Sequence, residues 1–255
     1  VSGGFVAKLK EPLQQRADLS ELLVGPWTTL SARELSDRPV YLERDGDARL
    51  GDLFELDGHP QGRIRFVGEL DQADRLGAGL SEGEVIVDGS VGREAGLAQA
   101  GGTLDIGGDA GPRAGAAPLG FKRGMTGGEL IVRGSAGAEA GASMRRGLLV
   151  ILHAAGDRTG LGMIAGTVVV FGSAGAEAGL WSKRGSVVAL GGITPPPTYS
   201  YACTFQPIHL RLLLTRLRDG YGLPVRPRHL NGFYRRYSGD MAELGKGEIL
   251  AWTAK

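Results

Sequence analysis

The chain holds one cysteine, one asparagine and six lysines among 255 residues, and each shortage closes off a chemistry. A lone thiol, Cys203, excludes a disulfide framework or a four-cysteine metal site within one chain. Its apolar and aromatic neighbours, Tyr201 and Phe205, predict a buried structural thiol in a reducing compartment. No stretch reaches the ~18 apolar residues that a membrane span needs, and VSGGFVAKLKEPLQQRADLS at the start has no apolar centre like that of a signal peptide. With 29 basic against 28 acidic residues the formal charge is +1, so no long-range field draws the chain to nucleic acid or anionic lipid. The expectation is a cytoplasmic protein with neither nucleic acid nor membrane among its partners.

Nucleotide and metal motifs are missing too. There is no G-K-S/T triplet, and Gly245-Lys246-Gly247 lacks the hydroxyl that would hold magnesium. The nearest dinucleotide pattern, Gly160 to Ala165, leads into a strand where a helix is required. His59, His153, His209 and His229 stand alone, without ligand spacing, so neither a catalytic nor a metal-binding residue is nominated. His153 is expected to bond backbone at a corner, and Asp157 with Arg158 to form a solvated ion pair.

What the chain has in abundance is glycine, 44 residues, and the octapeptide GSAGAEAG twice, at Gly134 to Gly141 and Gly172 to Gly179. The segments GRIRFVG, GEVIVDG, GTLDIGG, GELIVRG, GLLVILH, GTVVVFG and GSVVALG begin at Gly62, Gly83, Gly102, Gly128, Gly147, Gly166 and Gly185. Their spacings of 21, 19, 26, 19, 19 and 19 residues fix a basic period of 19. Within each unit the third and fifth positions are apolar, which puts them on one face of a strand. The fourth position accepts Arg65 and Asp105 and is expected to face outward. A unit with one strand, glycine-marked corners and no helix-length stripe predicts an all-β coil of about seven rungs, because single turns bury their inner face only by stacking. Spacing leaves its handedness open. With a single asparagine, Asn231, the corners cannot use an asparagine ladder, so glycine, alanine and serine must fill them.

Three regions follow. Residues 1–61 read as a small N-terminal cap with a short helix around Ser20 to Leu23 and a strand pair formed by Val40 to Leu42 and Leu53 to Leu56. Residues 62–194 are the repeats. Residues 195–255 hold a C-terminal helix and tail packing on them, with Gln206 to Asp219 helical, Leu210, Leu213, Leu214 and Leu217 as its stripe and Gly220 as its stop. The helix is expected to cover the open end of the stack, with docking on a partner as the alternative. Two surface features are candidate contacts. The 26-residue interval contains a seven-residue insertion with Phe121, Lys122 and Arg123, and insertions between repeats map to surface loops. Arg145 and Arg146 precede Lys183 and Arg184 by two repeats, which lines the pairs up ~10 Å apart on one edge. Lys122 and Arg123 extend that set, which reads first as an ordinary solvated edge and otherwise as a seat for an acidic partner face or a polyanionic tail.

The segment FKRGMTGGELIVRGSAGAEAGASMRRG, the stretch MIAGTVVVFGSAGAEAG and the closing FYRRYSGDMAELGKGEIL resemble the C-type subunit of formylmethanofuran dehydrogenase, whose bacterial counterpart is the C-type subunit of the formyltransferase/hydrolase complex. The likeness runs from about Leu50 to Trp252. It implies a right-handed parallel β-helix, related to the one ending the large subunit of glutamate synthase, that carries no active site. The implied partners are formyltransferase, amidohydrolase and dehydrogenase-like subunits, with methanofuran and metal ions on those partners and no cofactor bound by this chain alone. In the bacterial complex the formyl group passes from tetrahydromethanopterin to methanofuran and is then released as formate. The archaeal alternative uses tungsten or molybdenum, and a further alternative gives the basic edge Arg145, Arg146, Lys183 and Arg184 the polyglutamyl tail of methanofuran. An arginine-rich, lysine-poor composition suits a methylotrophic bacterium with a GC-rich genome. There are no family catalytic residues to carry onto this chain.

Overall fold

The computed structural model describes residues 4–59 and 61–254. The chain opens with β1 (Phe5–Leu9), β2 (Ala17–Asp18), α1 (Ala32–Ser36), the hairpin of β3 (Pro39–Leu42) and β4 (Gly46–Arg49), the single turn α2 (Leu50–Leu53) and β5 (Phe54–Gly58). The repeats supply β6 (Arg63–Val67), β7 (Ala73–Asp74), β8 (Glu84–Val87), β9 (Thr103–Ile106), β10 (Glu129–Val132), β11 (Leu148–Ile151), β12 (Thr167–Val170) and β13 (Arg184–Ala189). The tail adds β14 (Ser200–Phe205), α3 (Ile208–Tyr221), α4 (Pro227–Leu230), β15 (Phe233–Gly239) and β16 (Lys246–Thr253). The protein is mostly β, with a large and mostly parallel twelve-stranded sheet ordered β14-β15-β16-β13-β12-β11-β10-β9-β8-β6-β1-β5.

The repeat dictates the register. Leu130 pairs with Leu104 on one side and Leu149 on the other, and Val168 pairs with Leu149 and Val187, so equivalent positions of successive units stand directly over one another. A second ladder of parallel bridges links Leu70, Val91, Ala110, Ala136, Ala155 and Ala174. A third wall is joined by backbone bonds outside the strands, as in Arg113 N–H to Ala138 O and Glu139 N–H to Asp157 O. Third and fifth positions point into the space these walls enclose. Ile64, Val85, Leu104, Leu130, Leu149, Val168 and Val187 are buried there with Phe66, Val87, Ile106, Val132, Ile151 and Val170. Each such aliphatic contributes roughly 1.5–3 kcal/mol by leaving water.

The two glycine types of GSAGAEAG do different work. A Cβ on Gly137 would lie 2.6 Å from the backbone nitrogen of Pro112 in the layer beside it, so this glycine permits close approach of layers. Gly141 has φ +71°, and its Cβ would stand 3.2 Å from Leu149 and Val168 side chains, so it serves both turn and core.

The fourth position divides. Arg65 is exposed, and Asp105 is half-buried in an ion pair with Arg133. Ile131, Val150, Val169 and Val188 are instead buried, in a second core with Leu210, Leu214 and Leu217 of α3. The helix therefore lies on the outer face of the sheet and does not cover the open end, because four consecutive apolar fourth positions leave a stripe there that only an amphipathic element can remove from water. Its far end is tied down where Arg216 and the Tyr221 hydroxyl both donate to Glu129. The helix runs two residues beyond the expected stop and ends at Gly222, which takes the left-handed C-cap conformation.

The ends are closed by strands and plugs. β16 continues the parallel stack on β13, and β15 and β14 follow antiparallel. Tyr199 fills the interior at this end, its hydroxyl donating to Gly179 O at 2.9 Å, and burial pushes that hydroxyl up to about 12. At the other end β1 pairs parallel with β6 and antiparallel with β5, while Leu19, Leu22, Leu23 and Trp27 close the core.

Three further expectations change. Ser20 to Leu23 form a turn, because Ser20 N–H bonds Asp18 Oδ1 and the Gly25-Pro26 pair leaves no room for a helix; the helix nearby is α1, held by a Ser31/Glu34 capping box. Val40 to Leu42 pairs with β4 in a hairpin, and the strand of Phe54 pairs with β1. Cys203 is exposed, since β14 is the edge strand of the sheet and has no layer over either face.

Candidate interaction surface

Of the groups that could do chemistry, His229, Asp157 and Arg158 are engaged in structure and the His153 ring is not. His229 is buried, accepts the Arg226 N–H at Nδ1 and meets Phe171 and Trp252 edge to face. Burial, with help from Arg228 and Arg226, lowers it to about 4, so it is neutral near pH 7. His153 is exposed; its backbone bonds Gly134 and Gly172, and its ring has no hydrogen-bond partner among the described residues. Asp157 and Arg158 do not pair with each other. Asp157 Oδ1 accepts the Ala176 N–H, and Arg158 reaches Glu139 at 3.0 Å. No group of three His, Cys, Asp or Glu side chains among the described residues is placed to hold a metal ion. A cleft of about 450 Å³ lies between Lys10, Leu13, Gln15, Leu42, Asp45 and Leu53, but Lys10 donates to Gly51 O and Gln15 to Asp45.

Arg75, Glu94, Arg113, Glu139, Arg158 and Glu177 occupy one corner column, all with φ between 56° and 66°. Charge alternates down this column. Asp18 pairs with Arg75 (2.6 Å), Arg75 with Glu94 (2.8 Å), Glu94 with Arg113 (3.0 Å), Arg113 with Glu139 (3.1 Å) and Glu139 with Arg158 (3.0 Å). Burial alone would raise the Glu94 carboxyl, but hydrogen bonds from Arg75 and Arg113 outweigh it and hold it below the usual carboxylate range. Left-handed backbone at six non-glycine residues is unfavourable, and the ion-pair ladder together with the interlayer N–H bonds offsets it. This column stands in the sequence as Arg and Glu in turn at the same repeat position, and its alternation was the signal available.

A different corner carries cations that, Lys183 apart, have no ion pair among the described residues. Backbone bonding stacks Ala117, Ser143, Gly162 and Trp181 in one column. The insertion leaves the column at Ala117 and returns at Gly124, whose N–H bonds Ser143 O. Leu119 and Phe121 on this loop are 77% and 72% exposed. Phe121, Lys122 and Arg123 line an open hollow with Ala98 and Pro118. Arg145 and Lys183 stand two layers apart just past the corner, with Ile164 between them, and Arg146 and Arg184 follow them. Lys246 pairs with Arg184 in the strand register and adds a cation that repeat spacing could not reveal, because it arrives from the tail. All of these cations are exposed. Lys183 reaches Glu243 at 3.9 Å.

The tail motif ends this corner. Asp240 is fully buried, and its carboxylate accepts the N–H groups of Trp181 (2.8 Å) and Ala242 (2.8 Å). In the layers below, the equivalent N–H of Gly162 bonds a carbonyl of the next layer, Leu180 O. Asp240 thus takes the place of the layer that is not there. It fixes Trp181, 55% exposed, beside Met241 and Leu244, 56% and 55% exposed.

A solved structure repeats this architecture. It is the formyltransferase/hydrolase complex (FhcABCD) from Methylorubrum extorquens in complex with methylofuran, one chain of which is 32% identical over 98% of this chain and 100% of its own length, with a TM-score of 0.77. The chain belongs to the same family as that component of the complex. The match is not confined to the repeats, since it covers nearly all of this chain. No protein-family model and no curated protein matches the sequence. No helix among the described residues is long and apolar enough to cross a membrane.

Proposed function

We propose that the chain is the C-type subunit of a cytoplasmic formyltransferase/hydrolase complex: a right-handed parallel β-helix of about seven rungs that positions its partner subunits and contributes no reacting group. The observation that carries this reading is the end-to-end likeness to a chain of such a complex. The engagement of Asp157, Arg158 and the Arg/Glu column in bonds between layers, and of His229 in a local bond with Arg226, supports it from the side of chemistry. A stack in which each layer bonds only its neighbours is stiff along its length, so partners seated on it hold fixed spacings while formyl transfer and formate release proceed on formyltransferase and amidohydrolase subunits. Methanofuran and the metal ions belong to those partners.

The test is purification of the native assembly through an affinity-tagged copy of this chain, with metal analysis and an assay of formate release from formyl-tetrahydromethanopterin and methanofuran. The assembly is expected to release formate and the isolated chain to release none. Turnover by the isolated chain would overturn the scaffold role, and stoichiometric tungsten or molybdenum would replace the hydrolytic complex with the dehydrogenase.

A further inference from the structure

The geometry points to one docking face: the corner from the insertion loop to Trp181, with the basic edge beside it, receives the acidic surface of another subunit. This rests on the reading of the chain as one component of a larger complex. Two apolar groups bound the face, Leu119 with Phe121 at one end and Trp181 with Met241 and Leu244 at the other. Ala117 and Trp181 are three layers apart in their column, which separates the two groups by ~14 Å. Between and beside them stand Lys122, Arg123, Arg145, Arg146, Arg184 and Lys246, exposed and without ion pairs among the described residues. Elsewhere on the stack arginines are matched, as in Arg63–Glu84, Arg65–Asp88 and the alternating column. Near this face stand Glu243, which is held by Lys183, Glu177, the exposed end of the column, and Asp240, which is buried against the Trp181 N–H.

Such a face fits a partner whose carboxylates neutralise the cations while two apolar hollows take the aromatic ends. Aromatic side chains and arginine are the groups that anchor interfaces, and charge complementarity sets the register. The buried Asp240 gives the face its rigidity, because Trp181 is held at the backbone before any partner arrives.

Lysine placement supplies a built-in control. Lys122, Lys183 and Lys246 lie on this face, and Lys8 and Lys10 lie on β1 and just beyond it, at the opposite end of the stack. Treating the intact assembly with a water-soluble carbodiimide joins lysine amines directly to carboxylates. The expected result is amide links from Lys122, Lys183 and Lys246 to Asp or Glu of another subunit. Links from Lys8 and none from the three corner lysines would overturn the inference while leaving membership of the complex intact. A chain that purifies alone would defeat both. As a second readout, Trp181→Ala combined with Arg146→Glu and Arg184→Glu should lower retention of this chain in the assembly at least tenfold with its thermal midpoint little changed. Full retention would overturn the docking face, and retention with loss of methanofuran alone would assign the basic edge to that cofactor's tail.

Discussion

The outer face of the main sheet is two surfaces built on one repeat. From β6 to β9 the fourth positions are Arg65, Ile86 and Asp105, and the surface is held by the ion pairs Arg63–Glu84, Arg65–Asp88 and Arg133–Asp105. From β10 to β13 they are Ile131, Val150, Val169 and Val188, all buried beneath α3. The inner face shows no such division, since Ile64 and Val187, at the two ends of the repeats, are equally part of one core. The inner positions repeat because stacking makes every layer's interior alike, whereas the outer positions follow whatever covers them.

The strongest way to break this comparison is to place a charge on each surface. Val170→Asp, inward, and Val169→Asp, beneath α3, should each abolish cooperative folding or lower stability by more than ~3 kcal/mol, because a buried carboxylate adds its desolvation to the lost aliphatic. Ile86→Asp, the same position on the half-exposed surface, should cost less than ~1 kcal/mol. Equal losses for Val169→Asp and Ile86→Asp in urea unfolding would erase the distinction.

Leu214→Ala should remove about 2–4 kcal/mol through transfer and cavity, and it should increase proteolytic cutting near α3 while leaving the repeats resistant. Arg113→Ala is expected to cost ~1–3 kcal/mol in the same unfolding assay, since it deprives both Glu94 and Glu139 of a partner. Arg65→Ala, at an exposed pair, should change stability by less than ~1 kcal/mol.

Protonation gives a gentler probe of the covered surface. His229, packed against Phe171 and Trp252, has a folded pKa of about 4 against 6.5 for the free side chain. The unfolded chain binds the proton more readily between these values, so this contribution to stability is complete above about pH 6.5 and is lost as pH falls towards 4. The thermal midpoint of the wild type should decline over that window by more than that of His229→Gln.

The repeat, its strands and their inward residues were legible because period 19 and alternation report the same physics at every layer. Position four held a signal that the expectation of a helix over the open end did not use: Ile131, Val150, Val169 and Val188 follow one another at repeat spacing and match the Leu210, Leu214 and Leu217 stripe of α3. The N-terminal segment was not, since Ser20 to Leu23 turns on an Asp18 bond that no periodicity encodes. Cys203 misled because apolar neighbours in sequence do not imply a covered strand, and β14 is an edge. Of the interaction surface, the loop and the arginine pairs could be found by spacing. Trp181 stands at repeat spacing from Ser143 and Gly162, but Lys246 could not be found that way, for its position depends on how the tail folds back onto β13.

The size of the particle that contains this chain tests its place in a larger assembly most directly. Native mass measurement of the tagged protein from its own cells should find it in a hetero-oligomer with stoichiometric partners and no free pool. A homogeneous species at the mass of the single tagged chain, without partners, would contradict it.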